Sequence, residues 1–227
     1  MRPAVRGPHP VDATGQPKVF REYREALDDL VKTLGRYCAY CERPVSHSPE
    51  VEHVRPKSLN RSLLLRWSNL LVSCRNCNAH KRAKRVRLRD YYWPDRDNTF
   101  RAFAYGPGGA LGVSCHLTQK QTQRAQRTID LTRLDHPTTD KDWRTLLRAE
   151  AWDAAQLDLA RLKCCDTPEF RALIADRAAD KGHFPIWMTV FRDDADMCRR
   201  FIEAFRGTAP DCFDAGGNPI PRPGGDL

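Results

Sequence analysis

Two short cysteine motifs limit the fold of this chain more than any other feature. Cys38-x2-Cys41 is followed, after 32 residues, by Cys74-x2-Cys77. Each knuckle turns tightly enough to aim two sulfurs at one point, and together they offer four thiolates to a tetrahedral zinc ion. A disulfide framework competes poorly, because the chain has nine cysteines and no apolar secretory stretch in its opening MRPAVRGPHP. Two independent redox motifs would each need a βαβ setting that neither has. A closed four-ligand site is structural, so any chemistry must lie elsewhere. The remaining cysteines, Cys115, Cys164, Cys165, Cys198 and Cys212, show no ligand spacing. They are expected to be buried free thiols.

The charge distribution points to a partner. The chain of 227 residues carries 38 Lys/Arg against 29 Asp/Glu, a net charge of +9. Between Val54 and Arg101 stand 13 bases and three acids, so this stretch holds +10 and the rest holds −1. A confined basic block suits a polyanion-facing surface better than general solubility does. A solvated charged face is the bland alternative. No apolar run approaches the ~20 residues needed to span a bilayer. The cytoplasm is the default compartment on this reading.

The fold class expected is α+β, mainly helical. Residues 1–17, rich in Pro and Gly, read as a flexible N-terminal arm. Residues 18–98 combine a helix with the zinc-knuckle core. Phe20, Tyr23, Leu27, Leu30, Val31 and Leu34 recur at helical spacing until Gly35. Residues 99–117 form a loop or hairpin around GPGG. Residues 118–207 are a helical region, serving as scaffold or partner docking surface, and 208–227 a flexible tail. Within the helical region, Trp143, Leu146, Leu147, Trp152, Ala155, Leu159 and Leu162 are expected to form one apolar face. Thr167-Pro168 is a helix start, with a capping threonine before a proline at the first helical position. Tyr91, Tyr92 and Trp93 read as the seal of a small core, with base stacking as the alternative.

The chemistry stands between the knuckles. The order Cys-x2-Cys, Glu52-His53-x2-Pro56-Lys57, Asn69-Leu-Leu, Cys-x2-Cys-Asn78 resembles the HNH endonucleases over Cys38 to Lys81. The resemblance implies a ββα-metal fold, a two-stranded hairpin and a helix gripping one divalent metal, here as an H-N-N variant. It also implies that Glu52 and Asn78 bind Mg2+ or Mn2+ while His53 activates water. Asn69 would hold the hairpin loop by side-chain hydrogen bonds. The residue types suit these roles independently: phosphodiester hydrolysis needs a base near neutral pH, and histidine is the natural one. Glu and Asn offer hard oxygens for a hard cation.

Arg55, Lys57, Lys81, Arg82, Lys84 and Arg85 are the expected nucleic-acid contacts, and His80 is an alternative metal ligand. Adjacent strand residues face opposite ways, so Glu52 and His53 can share a site only if the backbone turns there. The YCAYCE, EHxxPKS and NLLxSCxxCNxxK strings also resemble the small HNH subunits of Septu-type anti-phage systems, which implies an ATPase partner. The leading expectation is a metal-dependent nuclease acting on double-stranded DNA. The alternatives are a non-catalytic zinc module that binds nucleic acid or protein, and an RNA-directed nuclease toxin.

Overall fold

The computed structural model describes residues 1–139 and 142–227. Helix α1 (Leu27–Leu34) is preceded by a 3-10 turn at Tyr23–Ala26, and it ends at Gly35. Strands β1 (Glu50–His53) and β2 (Leu70–Ser73) pair antiparallel, with Glu50 opposite Ser73 and His53 opposite Leu70. Helix α2 (Arg75–Lys81) follows directly, its start capped by the Cys74 sulfur accepting from the Cys77 amide. This β1-β2-α2 unit is the expected ββα core. After it, α3 (Thr99–Ala102) leads into a second hairpin of β3 (Phe103–Tyr105) and β4 (Leu111–Val113).

Among the described residues, five further α-helices follow. Helix α4 (Gln119–Thr132) starts at a reciprocal capping box between Thr118 and Gln121, which satisfies two otherwise orphaned groups. Helix α5 (Arg144–Cys164) is the longest. Helix α6 (Pro168–Lys181) begins behind the Thr167 cap, α7 spans Phe184–Val190, and α8 (Ala195–Ala204) is capped by Asp194.

Two hydrophobic cores result. The first gathers α1, both zinc knuckles, the β1-β2 hairpin, Tyr92, Trp93 and the inner face of α4. The second is built by α5 to α8 around Phe184, Trp187, Phe191, Phe201 and Phe205. The boundary therefore falls between α4 and α5: Ala125, Ile129 and Leu131 of α4 pack with the first core. The cores meet at the first knuckle. Gly182 (φ +72) ends α6 so close to the Glu42 carbonyl that a Cβ there would lie 2.7 Å from it. The next amide, that of His183, donates to this carbonyl at 2.8 Å.

Several expectations need correcting. The outer ends of 1–17 and 208–227 are packed, not loose. Met1 is fully buried, its amine bonded to the Tyr105 hydroxyl, and Arg2 forms a buried ion pair with Glu42 at 3.2 Å. At the other end, Cys212, Phe213 and Leu227 are buried. The apolar face of α5 departs from expectation in its first turn and holds further along. Ala155 and Leu162 are buried as expected and Trp152 and Leu159 pack against the second core, but Trp143 and Leu146 are 54% and 39% exposed, while Arg144, Arg148 and Asp158 are buried. Among the five unpatterned cysteines, Cys198 and Cys212 are buried, but Cys115, Cys164 and Cys165 are exposed because they sit at a loop and a helix end.

Candidate active site and metal centre

The four knuckle sulfurs lie within 4.8 Å of one another and are all buried. Cys41 and Cys74 are 3.8 Å apart. Zn–S bonds of about 2.3 Å in a tetrahedron put sulfurs about 3.8 Å apart, so the cluster fits zinc. The thiol chemistry agrees. Burial pushes Cys38 and Cys77 well above the usual thiol range, while bonds from the other sulfurs hold Cys74 well below it. A divalent cation is what allows all four to ionise together.

Zinc with four thiolates carries a charge of −2, and α5 supplies the opposite sign. Arg144 and Arg148, one turn apart, are each 1% exposed. Arg144 Nη1 donates to Cys77 Sγ at 3.2 Å and to the Thr132 carbonyl at 2.8 Å. Its other nitrogens hold Asp142 and the Arg133 carbonyl. Arg148 bonds the Gly109 carbonyl and Thr145; burial pushes its pKa below the usual arginine range, opposed in part by Tyr105, Cys41 and Cys77. This accounts for the arginines on the inner face of the first turns of α5, which meets the knuckle sulfurs as well as an apolar core. Two arginines at i, i+4 are the sequence signal for it.

The second site is a cleft of about 220 Å³ whose walls include Tyr23, Glu52, His53, Lys57, Asn78 and Arg82. Strand β1 ends at His53 and the backbone bends at Val54, so Glu52 and His53 reach the same cleft despite being neighbours. His53 Nε2 lies 3.0 Å from the Leu64 carbonyl, which can only accept. The neutral ring therefore carries its proton on Nε2 and presents a lone pair on Nδ1. Tyr23 packs edge-on against the ring at 5.0 Å. Burial pushes the His53 pKa below its ordinary 6.5, opposed by the Leu64 carbonyl and aided by Lys57 and Lys81.

Asn69 braces this loop. Its Oδ1 accepts from the Arg55 amide at 2.8 Å, and its Nδ2 donates to the carbonyls of Arg55 (3.0 Å) and Leu63 (3.2 Å). Helix α2 lies along β1 through two rungs. Asn78 Nδ2 donates to Glu50 Oε2 at 2.7 Å, and Lys81 Nζ lies 2.6 Å from Glu52 Oε1. Lys81 also donates to the His53 carbonyl at 2.7 Å. Burial pushes Glu52 above the usual carboxylate range, while Lys81 and the Tyr40 hydroxyl, also on Oε1, pull it back. Sequence reasoning missed Glu50. Its signal was the two-residue spacing from Glu52, which puts both acids on one face of β1.

Of the expected nucleic-acid contacts, Lys81 is misplaced. It is 1% exposed and serves as the internal counter-ion of Glu52, because it lies on the face of α2 that meets β1. Arg55, Lys57, Arg82, Lys84 and Arg85 are exposed. His80 is also corrected as a ligand: it faces the opposite side of α2, stacked on His136 at 5.6 Å and 3.5 Å from Asp142. In kind, the donors fit a hard divalent cation. Glu52 and Asn78 offer carboxylate and amide oxygens in the cleft, and the Lys81 and Tyr40 contacts to Glu52 share Oε1.

Comparison with known proteins agrees with this geometry. Residues 38–84 match the family described as HNH endonuclease. Over 55 residues the chain is 38% identical to the Septu protein PtuB of Bacillus thuringiensis. That match covers 23% of this chain and 21% of the relative, so the likeness spans about a fifth of either protein. The knuckles, the hairpin and α2 coincide with the matched segment, and residues 38–84 are thus an HNH endonuclease domain containing a four-cysteine cluster that fits zinc.

Proposed function

We propose that the chain is a metal-dependent HNH endonuclease that hydrolyses phosphodiester bonds of double-stranded DNA, with His53 as general base. The observation that carries this reading is the His53 ring. It is fixed by its Nε2 bond to the Leu64 carbonyl, kept neutral by burial, and set with Nδ1 as its basic atom in a cleft shared with Glu52, Asn78 and cations. Nδ1 takes the proton of a water molecule attacking phosphorus. Lys57 and Arg82 draw the phosphate into the cleft, Asn69 holds the loop that carries the base, and Lys81 holds Glu52 and the His53 carbonyl in register. Glu52 and Asn78 would hold Mg2+ or Mn2+. That ion, when bound, supplies charge stabilisation at the phosphate and leaving oxygen.

The test is to incubate supercoiled plasmid, single-stranded DNA and RNA with the protein in Mg2+, Mn2+ or chelator. Nicking of plasmid that stops on chelation is expected. Cutting restricted to RNA would instead support the RNA-directed toxin. The Lys81–Glu52 pair favours a second reading, a non-catalytic zinc-stabilised binding module, since a carboxylate already neutralised by an ammonium is a weaker metal ligand. DNA binding without cutting in any metal would establish that reading.

The likeness to a Septu protein supports a biological role: the nuclease as effector of a bacterial anti-phage complex regulated by an ATPase partner, with the α5 to α8 helices as the docking region. Co-expression with an ATPase encoded beside it should yield a stable complex. A solitary protein with full, unregulated activity would count against this role.

A further inference from the structure

Beside the cleft runs a larger groove of about 630 Å³, lined by Arg55, Pro56, Leu59, Arg85, Arg87 and Arg89 among others. We infer that this groove is a second nucleic-acid site, a track for the sugar-phosphate backbone of a DNA strand that enters or leaves the cleft. The inference rests on the reading of the cleft as the place of cutting, and it adds a surface that this reading does not itself require.

Three observations support it. First, the groove is built by the sequence pattern Arg85-Val86-Arg87-Leu88-Arg89. Val86 and Leu88 pack against the first core, which turns the three arginines outward. Arg55 faces them from the loop after β1. Second, among the described residues none of these four guanidiniums has a carboxylate within 4.0 Å. Four unpaired cations converging on one concavity repel one another, and a polyanion relieves that repulsion while releasing its own counter-ions. Third, the groove adjoins the cleft, and Pro56 lines both. Leu59, 49% exposed, adds an apolar contact for a sugar face.

The occupant follows from the geometry. Guanidiniums bind phosphate oxygens in bidentate fashion. Four of them beside a cleft lined by Lys57 and Arg82 extend its positive surface along a strand. Contacts of this kind position a duplex without reading its sequence.

Fluorescence anisotropy of the full chain with a short labelled DNA duplex, in chelator so that nothing is cut, tests the proposal. Arg87→Glu/Arg89→Glu should weaken binding by about tenfold or more and reduce the slope of log affinity against log salt by about two. Arg87→Lys/Arg89→Lys should keep most of the affinity. Arg192→Glu, a charge reversal at a 74% exposed side chain of the helical half, should change little. Zinc content and melting temperature should match wild type in every variant, so that a folding defect is recognised. Undiminished duplex binding by the Glu variant overturns the inference, and so does a loss confined to an RNA of the same sequence. Binding lost in the Glu variant while wild type never cuts would leave the groove standing and remove the nuclease. Cutting by wild type with a fully binding Glu variant would remove the groove alone.

Discussion

The two cores use arginine in opposite ways. In the helical half, exposed guanidiniums are matched to acids: Arg171 to Asp166, Asp194 and Asp196, Arg177 to Asp158, and Arg200 to Asp196. In the half that contains the HNH segment, Arg55, Arg85, Arg87 and Arg89 face a groove and have no such partners among the described residues. That half also holds internal pairs, Arg2–Glu42, Arg6–Asp95 and Lys81–Glu52, so the contrast lies in this group of four arginines. The join between the halves is polar as well as apolar, because Arg144 of α5 donates to Cys77 Sγ of the second knuckle.

Removing the zinc should have the largest effect. Structural zinc supplies on the order of 10 kcal/mol of folding free energy in small zinc domains. Chelation, or Cys74→Ser, should abolish cooperative melting of the nuclease half and raise hydrogen exchange in α5, whose buried arginines lose their counter-charge. Unchanged exchange in α5 would show the halves to be electrostatically independent.

Arg144→Met should come next. Removing one partner from a buried charge cluster costs about 3–5 kcal/mol, and zinc should leave for a chelator faster than from wild type. In the Co2+-substituted protein the thiolate charge-transfer band should shift, because Cys77 loses a donor. A band and a release rate identical to wild type would mean that Arg144 merely packs.

Acid should sharpen the picture at the join. His183 is fully buried with its pKa pushed down to about 3, chiefly by burial. The folded ring stays neutral while the unfolded one takes a proton below about 6.5, so stability falls as pH drops from about 6.5 towards about 3. Each unit costs up to about tenfold in the folding equilibrium. His183→Asn, which tolerates the left-handed backbone there (φ 59), should flatten this dependence in urea melts at constant zinc. An unchanged slope would assign the acid sensitivity to other groups. The smallest effect belongs to Arg171→Ala. Its pairs are partly solvated, so a loss of about 1 kcal/mol is expected, with zinc release unaltered.

Much of this was legible in the sequence where spacing is short and chemistry local. The paired knuckles, the Glu52-His53 and Asn78 positions and the Thr167 cap that starts α6 depend on neighbours within a few residues. Long-range pairing was the hidden part. Lys81 reads as a phosphate contact until β1 is laid against α2 and Glu52 claims its ammonium. Arg144 and Arg148 read as the wet side of an amphipathic helix, since hydrophobic periodicity cannot foresee a buried cluster of thiolates. The ends of the chain looked loose because Pro and Gly suggest turns, yet Arg2 finds Glu42 forty residues away.

The central claim is that Nδ1 of a neutral His53 activates the attacking water. It is met most directly by the pH dependence of single-turnover plasmid nicking in saturating Mn2+ or Mg2+, comparing wild type with His53→Ala at equal DNA occupancy. Wild type should cut with an acidic limb below 6.5, because the base works only when neutral and burial lowers its pKa. His53→Ala should bind DNA as wild type does and lose cleavage by a factor of about 100 or more, with that limb abolished. Equal cleavage by the two proteins, with the same limb, would contradict the account.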